Sequence, residues 1–143
     1  MGRVLAIDPG SRRVGVAVSD PSGTIAQPLT VLAAGPEATL VQRLAAVARE
    51  QEASDLVVGL PRRLDGSLGP EAQAARALAE ELRQATGLAV TLVDERLTSA
   101  AAERALLSAG ATRSRRRQLS DQVAATMILQ SFLDSVRLRR ARG

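Results

Sequence analysis

The order of the apolar runs constrains this chain most. Three of them crowd into the first 32 residues: Val4-Leu5-Ala6-Ile7, Val14-Gly15-Val16-Ala17-Val18, and a stretch over residues 25–32. Each has the length of a strand, and the first two end in turn chemistry. The first stops at Asp8-Pro9-Gly10. The second stops at Asp20-Pro21-Ser22-Gly23, where proline pre-sets φ at the second position of a type I turn and glycine closes it. Three strands in such close succession predict an antiparallel meander. Pro28 lacks the N–H that a ladder needs, so the third strand belongs at a sheet edge or carries a bulge.

Beyond residue 33 the period changes. Leu40, Leu44, Val47 and Ala48 fall at helical spacing within residues 36–52. Residues 55–61 read as a strand entering a loop over 62–69. Pro70 suits the first turn of a helix running to about Thr86, with Gly87 as its terminating residue. Residues 89–93 form a strand that ends in Asp94-Glu95-Arg96. Thr98 or Ser99 can cap a helix that stops near Gly110. Residues 114–117 read as a polar linker, and 119–136 as the last helix. The order βββ-α-β-α-β-α-α predicts an α/β fold: a mixed sheet of about five strands, three antiparallel and the rest in βα units, flanked by helices. One domain is expected over residues 1–137, with 138–143 a disordered basic tail. No run of about eighteen apolar residues is present to span a membrane. The first residues do not read as a secretory leader, so the expected compartment is the cytoplasm.

The absent residue types narrow the chemistry. The chain has no His, Cys, Lys, Tyr or Trp, and all nineteen of its positive side chains are Arg. A Ser-His-Asp or Cys-His nucleophile is therefore excluded, as are a His/Cys zinc site and a P-loop with its lysine. Polar chemistry must come from Asp, Glu, Ser, Thr, Arg and backbone, and an all-oxygen donor set suits a hard cation, Mg²⁺ or Mn²⁺. Residues 1–110 hold eleven Arg against thirteen acids, whereas 111–143 hold eight Arg against two. That basic C-terminal third points to a polyanion. Phe132 is the one aromatic residue, which disfavours base stacking and favours recognition of backbone and shape.

Three acids stand where an acid is awkward. Asp8 and Glu95 each follow an apolar strand, and ligands of open α/β sheets bind beyond the carboxyl ends of strands. Asp121 precedes Ala125, Ile128, Leu129 and Phe132 at helical spacing, which puts it on the apolar stripe of the last helix. Singly, each has a plain structural explanation: a turn former, an ion-pair partner of Arg96 or Arg104, a first-turn acid. Together, in a chain without other catalytic residue types, they suit phosphoryl transfer assisted by two divalent ions about 3.5–4 Å apart. Asp8 is the candidate for the bridging ligand. Arg12 and Arg13 after Asp8, Arg62 and Arg63 after the fourth strand, Arg96, and Arg113, Arg115, Arg116 and Arg117 are the candidate nucleic-acid contacts.

Ile7-Asp8-Pro9-Gly10, Arg12-Arg13-Val14-Gly15-Val16-Ala17, Val58-Gly59-Leu60-Pro61 with Asp65-Gly66-Ser67, Val93-Asp94-Glu95-Arg96-Leu97-Thr98, and Asp121-Gln122-Val123-Ala124-Ala125 with Ile128-Leu129-Gln130 together resemble the YqgF/RuvX family. The resemblance covers nearly the whole chain. It implies an RNase H-like fold related to Holliday junction resolvases, with metal-binding carboxylates at Asp8, Glu95 and Asp121. It implies a nuclease of the Holliday junction resolvase type or, alternatively, one that matures the 5′ end of pre-16S rRNA. The partner is then branched DNA or precursor rRNA, and paired nicks at a junction favour a symmetric homodimer. The family often carries Lys one turn before the helix Asp. Here that position is Gln118, so either Arg117 takes its place or the position matters less. A non-catalytic nucleic-acid or ribosome-binding module is the competing expectation. An ATP-handling domain of the actin and sugar-kinase type is a weaker one, since that architecture needs two such domains.

Overall fold

Residues 2–61, 65–95 and 113–142 are described by the computed structural model, with side chains from 122 to 141 in the last stretch. Among them, β1 (Arg3–Pro9), β2 (Arg13–Ser19), β3 (Ala26–Ala33), β4 (Ala53–Leu60) and β5 (Ala89–Asp94) form one sheet. Its order is β3-β2-β1-β4-β5. β1–β2 and β2–β3 pair antiparallel; β1–β4 and β4–β5 pair parallel. The mixed sheet is the one expected, and β1 lies at its centre. β3 lies at an edge, and its register slips between Val16 and Ala17 of β2, opposite Thr30 and Pro28. Both accommodations expected of Pro28 are therefore present.

The sheet is covered on both sides, which is why its inner strands read as unbroken apolar runs. Leu5, Ile7, Val14, Val16, Leu56 and Val58 face one core with α1 (Glu37–Glu50) and α2 (Pro70–Thr86). Val4, Ala6, Ala17 and Val57 face the other, beneath Ala125, Ile128, Leu129 and Leu133 of α3 (Arg113–Arg142). Gly87 ends α2 in the left-handed region, φ 72°, as its position after Thr86 predicts.

The turn after β2 forms as read. Gly23 N–H donates to the Asp20 carbonyl at 3.0 Å, with Gly23 at φ 73°. The Asp20 carboxylate also accepts from the backbone N–H of Thr24 and of Ile25, each at 2.8 Å. These bonds and one from the Ser22 hydroxyl hold its pKa far below the usual carboxylate value.

α3 is longer than the sequence pattern suggests. Residues 114–117, expected as a linker, are its first turns, and residues 138–142, expected as a disordered tail, continue it to Arg142. From residue 113 to 142 the sequence has neither Gly nor Pro to stop a helix, and Arg and Leu are good helix formers. The apolar pattern fades after residue 136 because 137–141 are exposed; absence of a buried face is not absence of a helix. The helix expected over residues 98–110 lies outside the described residues. α3 is tied to the meander by Gln130. Its Oε1 accepts from Ala26 N–H at 2.9 Å, and its Nε2 donates to the Thr24 carbonyl at 3.0 Å.

Candidate metal and nucleic-acid site

The parallel half of the sheet places its strand ends together. Ile7 pairs with Val58, and Val58 with Leu92, so Asp8, Gly59 and Val93 form the next row across β1, β4 and β5. Side chains alternate along a strand. Val4 and Ala6 face α3, so Asp8 does too. Val57 faces α3, so Gly59 does too, and Val93 packs against the same core. Glu95 follows two residues after Val93. Asp94 has the opposite parity, in register with Leu60 of the other core.

Asp8 is 5% exposed. Burial of a carboxylate is costly unless it is bonded or binds a cation. It sits opposite Gly15 in the antiparallel pair, at the mouth of the β1–β2 turn. That turn is tight: a Cβ on Gly10 would lie 2.5 Å from the Arg13 carbonyl oxygen, so only glycine fits. Glu95 is half-buried, and its Oε1 is shielded from solvent. Asp8 and the β5 row are two strand spacings apart, about 10 Å between backbones.

Among the described residues, no three acidic, His or Cys side chains form a ready metal cluster. The side chain of Asp121 lies outside the described residues. Its backbone is in α3, one turn before Ala125 and two before Ile128, both packed on this face of the sheet. Among the arginines, Arg13 shares the parity of Ala17 and thus the Asp8 face, and Arg12 is exposed in the same turn. Arg62, Arg63 and Arg96 lie outside the described residues, as do the side chains of Arg113, Arg115, Arg116 and Arg117.

Gly59 is the site residue whose part is not evident from spacing. It sits between Asp8 and Val93, and its bare backbone leaves room for the Ile128 side chain from α3, beside the Asp8 carboxylate. Its signal in the sequence is a glycine inside a strand of Val and Leu, which marks a close approach. The donor set fits a hard divalent cation: oxygen only, one carboxylate buried at a strand end and one with a shielded oxygen.

Comparison with known proteins places the chain in a family. A family model described as RuvX, Holliday junction resolvase, matches residues 2–135. A relative from Pelotomaculum thermopropionicum is 48% identical over 143 residues, covering 99% of this chain and 93% of its own. One from Moorella thermoacetica is 49% identical over 132 residues, covering 92% and 94%. Both are named as candidate pre-16S rRNA nucleases. The solved structure of Thermus thermophilus RuvC in complex with Holliday junction substrate matches with a TM-score of 0.57 at 19% identity, covering 94% of this chain and 96% of that one. That likeness is one of fold, and the fold is the RNase H-like one expected. With the family model spanning all but the ends and close relatives matched along nearly their whole length, this chain belongs to the RuvX family of nucleases.

Proposed function

We propose that this protein is a divalent-metal-dependent endonuclease that hydrolyses phosphodiester bonds in precursor 16S rRNA. The observation that carries the chemistry is the buried Asp8 at the end of the central strand, on the α3 face and beside the bare Gly59. The substrate rests on the relatives: those at 39–49% identity are named for pre-16S rRNA. Junction cleavage is the second reading, favoured by the description of the family model. It would call for a homodimer presenting two sites to two strands.

Asp8, Glu95 and Asp121 would hold the cation, Mg²⁺ or Mn²⁺. When bound, such ions activate the attacking water and stabilise the leaving oxygen. The chain's own part is placement. Asp8 pairs with Gly15 of β2, and its neighbour Ile7 pairs with Val58 of β4, so its carboxylate would need little reorganisation to act. Glu95 follows β5 and approaches from the far side of Gly59. Arg12 and Arg13, in the turn beyond Asp8, would contact the phosphate backbone. No histidine exists in the chain to serve as a base, and activation of the water by the ion would make one unnecessary. α3 walls the site on one side.

The test is cleavage of a precursor-rRNA fragment and of a four-way DNA junction side by side, with Mg²⁺ or Mn²⁺, by wild type and by Asp8→Asn. The expected result is metal-dependent cleavage of the RNA at its 5′ processing site, lost in Asp8→Asn. Salt-sensitive binding with no cleavage under either metal would leave a binding module instead. Cutting of the junction alone would favour the second reading.

A further inference from the structure

Glycine weakens the interior of a strand, so a glycine there calls for a physical reason. At Gly59 the reason is space. The residue does not lie in the left-handed region. A Cβ built on it would lie 2.8 Å from Ile128 Cδ1, closer than real Cβ contacts allow, and 3.8 Å from Ile128 Cγ1. The same point lies 3.6 Å from Asp8 Oδ1. The volume a side chain would occupy is thus filled from α3 by the Ile128 δ-methyl, and the Asp8 carboxylate borders it. Ile128 is fully buried, and Ala125 and Leu129 beside it are packed just as tightly. The methyl therefore cannot drift away without disturbing the α3 core.

We propose that Gly59 and Ile128 are a pair of positioning residues for Asp8: the Ile128 δ-methyl, seated on the bare backbone of Gly59, forms an apolar wall that fixes the Asp8 carboxylate and so sets its affinity for a divalent cation. This rests on Asp8 being a metal ligand. The physical argument has two parts. An apolar group beside the carboxylate keeps water from competing with the cation on that side. A filled notch also restricts the carboxylate's torsion, so less freedom is lost when the ion binds. Groups that orient metal ligands are worth about 10- to 100-fold in affinity. Neither residue touches the ion, so both act through Asp8.

The test is Mn²⁺ binding to the full chain, read from the electron paramagnetic resonance of free Mn²⁺ well below the melting temperature. Four variants are compared with wild type: Asp8→Asn, Gly59→Ala, Ile128→Val and the double variant Gly59→Ala/Ile128→Val. Gly59→Ala crowds a Cβ and the δ-methyl into one notch, which displaces the packing against the Asp8 carboxylate, and affinity should fall about 10- to 100-fold. Ile128→Val removes only that methyl, and the double variant refills the notch from the other side. Affinity in the double variant should return to within about threefold of wild type. Thermal unfolding without metal is recorded for each, because a merely structural role would move the melting temperature and leave the affinity of the folded fraction unchanged. Wild-type affinity in folded Gly59→Ala overturns the proposal, and so does a double variant that folds and does not recover. If Gly59→Ala does not fold, Ile128→Val decides: weaker Mn²⁺ binding supports the wall, and unchanged binding overturns it. If Asp8→Asn binds Mn²⁺ as well as wild type does, the reading of Asp8 as a ligand has failed, and the proposal with it.

Discussion

Replacing Gln130 by Ala should loosen α3 from the meander, and the cost can be worked out bond by bond. The side chain makes three hydrogen bonds: from Ala26 N–H at 2.9 Å, to the Thr24 carbonyl at 3.0 Å and to Asp134 Oδ1 at 3.0 Å. The first two join α3 to the start of β3. They are partly buried, so water replaces them imperfectly, and each should contribute near the middle of the usual range, about 1 kcal/mol. The third lies on the helix surface at i, i+4 spacing and should contribute less than about 0.5 kcal/mol. Gln130→Ala should therefore cost about 2 kcal/mol, and Asp134→Ala no more than about 0.5 kcal/mol. For a chain of this size that is roughly 6–8 °C in Tm against 2 °C or less. Gln130→Glu adds a sharper contrast. Glutamate keeps the acceptor for Ala26 N–H, loses the donor to Thr24 and sets a second carboxylate beside Asp134. It should be more destabilising at pH 7 than at pH 4.5. Urea unfolding of the three variants at both pH values checks this. If Gln130→Ala and Asp134→Ala unfold at the same urea concentration, Gln130 does not pin the meander.

Asp20 gives a pH test. Its folded pKa is depressed by backbone hydrogen bonds, Ile25 first, then the Ser22 hydroxyl and Thr24 N–H. A depressed carboxylate contributes stability above its unfolded pKa, about 3.9, and loses it as pH falls toward the folded value. The Tm gap between wild type and Asp20→Asn should be constant above about pH 5 and narrow steadily below about pH 4; a gap unchanged down to pH 2.5 would count against the turn. Gly87→Ala places a side chain at φ 72° with open space around it. The cost should be backbone strain alone, about 1–2 kcal/mol, with the denaturant slope unchanged. For RNA binding in an Asp8→Asn background, Arg12→Ala and Arg13→Ala should each reduce the slope of log K against log salt by about 0.7–0.9, as one lost phosphate contact requires. An unchanged slope would remove those arginines from the interface.

What the sequence makes legible here follows from range. Asp8 and Glu95 stand out because each ends a run of apolar residues, a signal contained within a few positions. The edge location of β3 follows from one proline and its missing N–H. The first turns of α3 are not legible, because Arg-rich residues 113–117 look the same in a linker and in a helix without a buried face. Gln130 shows no local sign of its role; its partners Ala26 and Thr24 are 104 and 106 positions away. Gly59 is intermediate. That it needs space is readable from the strand around it, but that Ile128 fills the space requires the folded chain.

The cover that α3 provides has a consequence in the order of synthesis. Asp8 and the central strand are made about 120 residues before Ile128 of α3, so Val4, Ala6 and Val57 acquire their cover only when Ile128, Leu129 and Leu133 exist. Closing a loop of nearly the full chain must precede the contacts that reward it. At about 5–20 residues per second, the first carboxylate waits many seconds for its last neighbours. A nascent chain therefore carries Asp8 before the α3 residues that cover its face of the sheet.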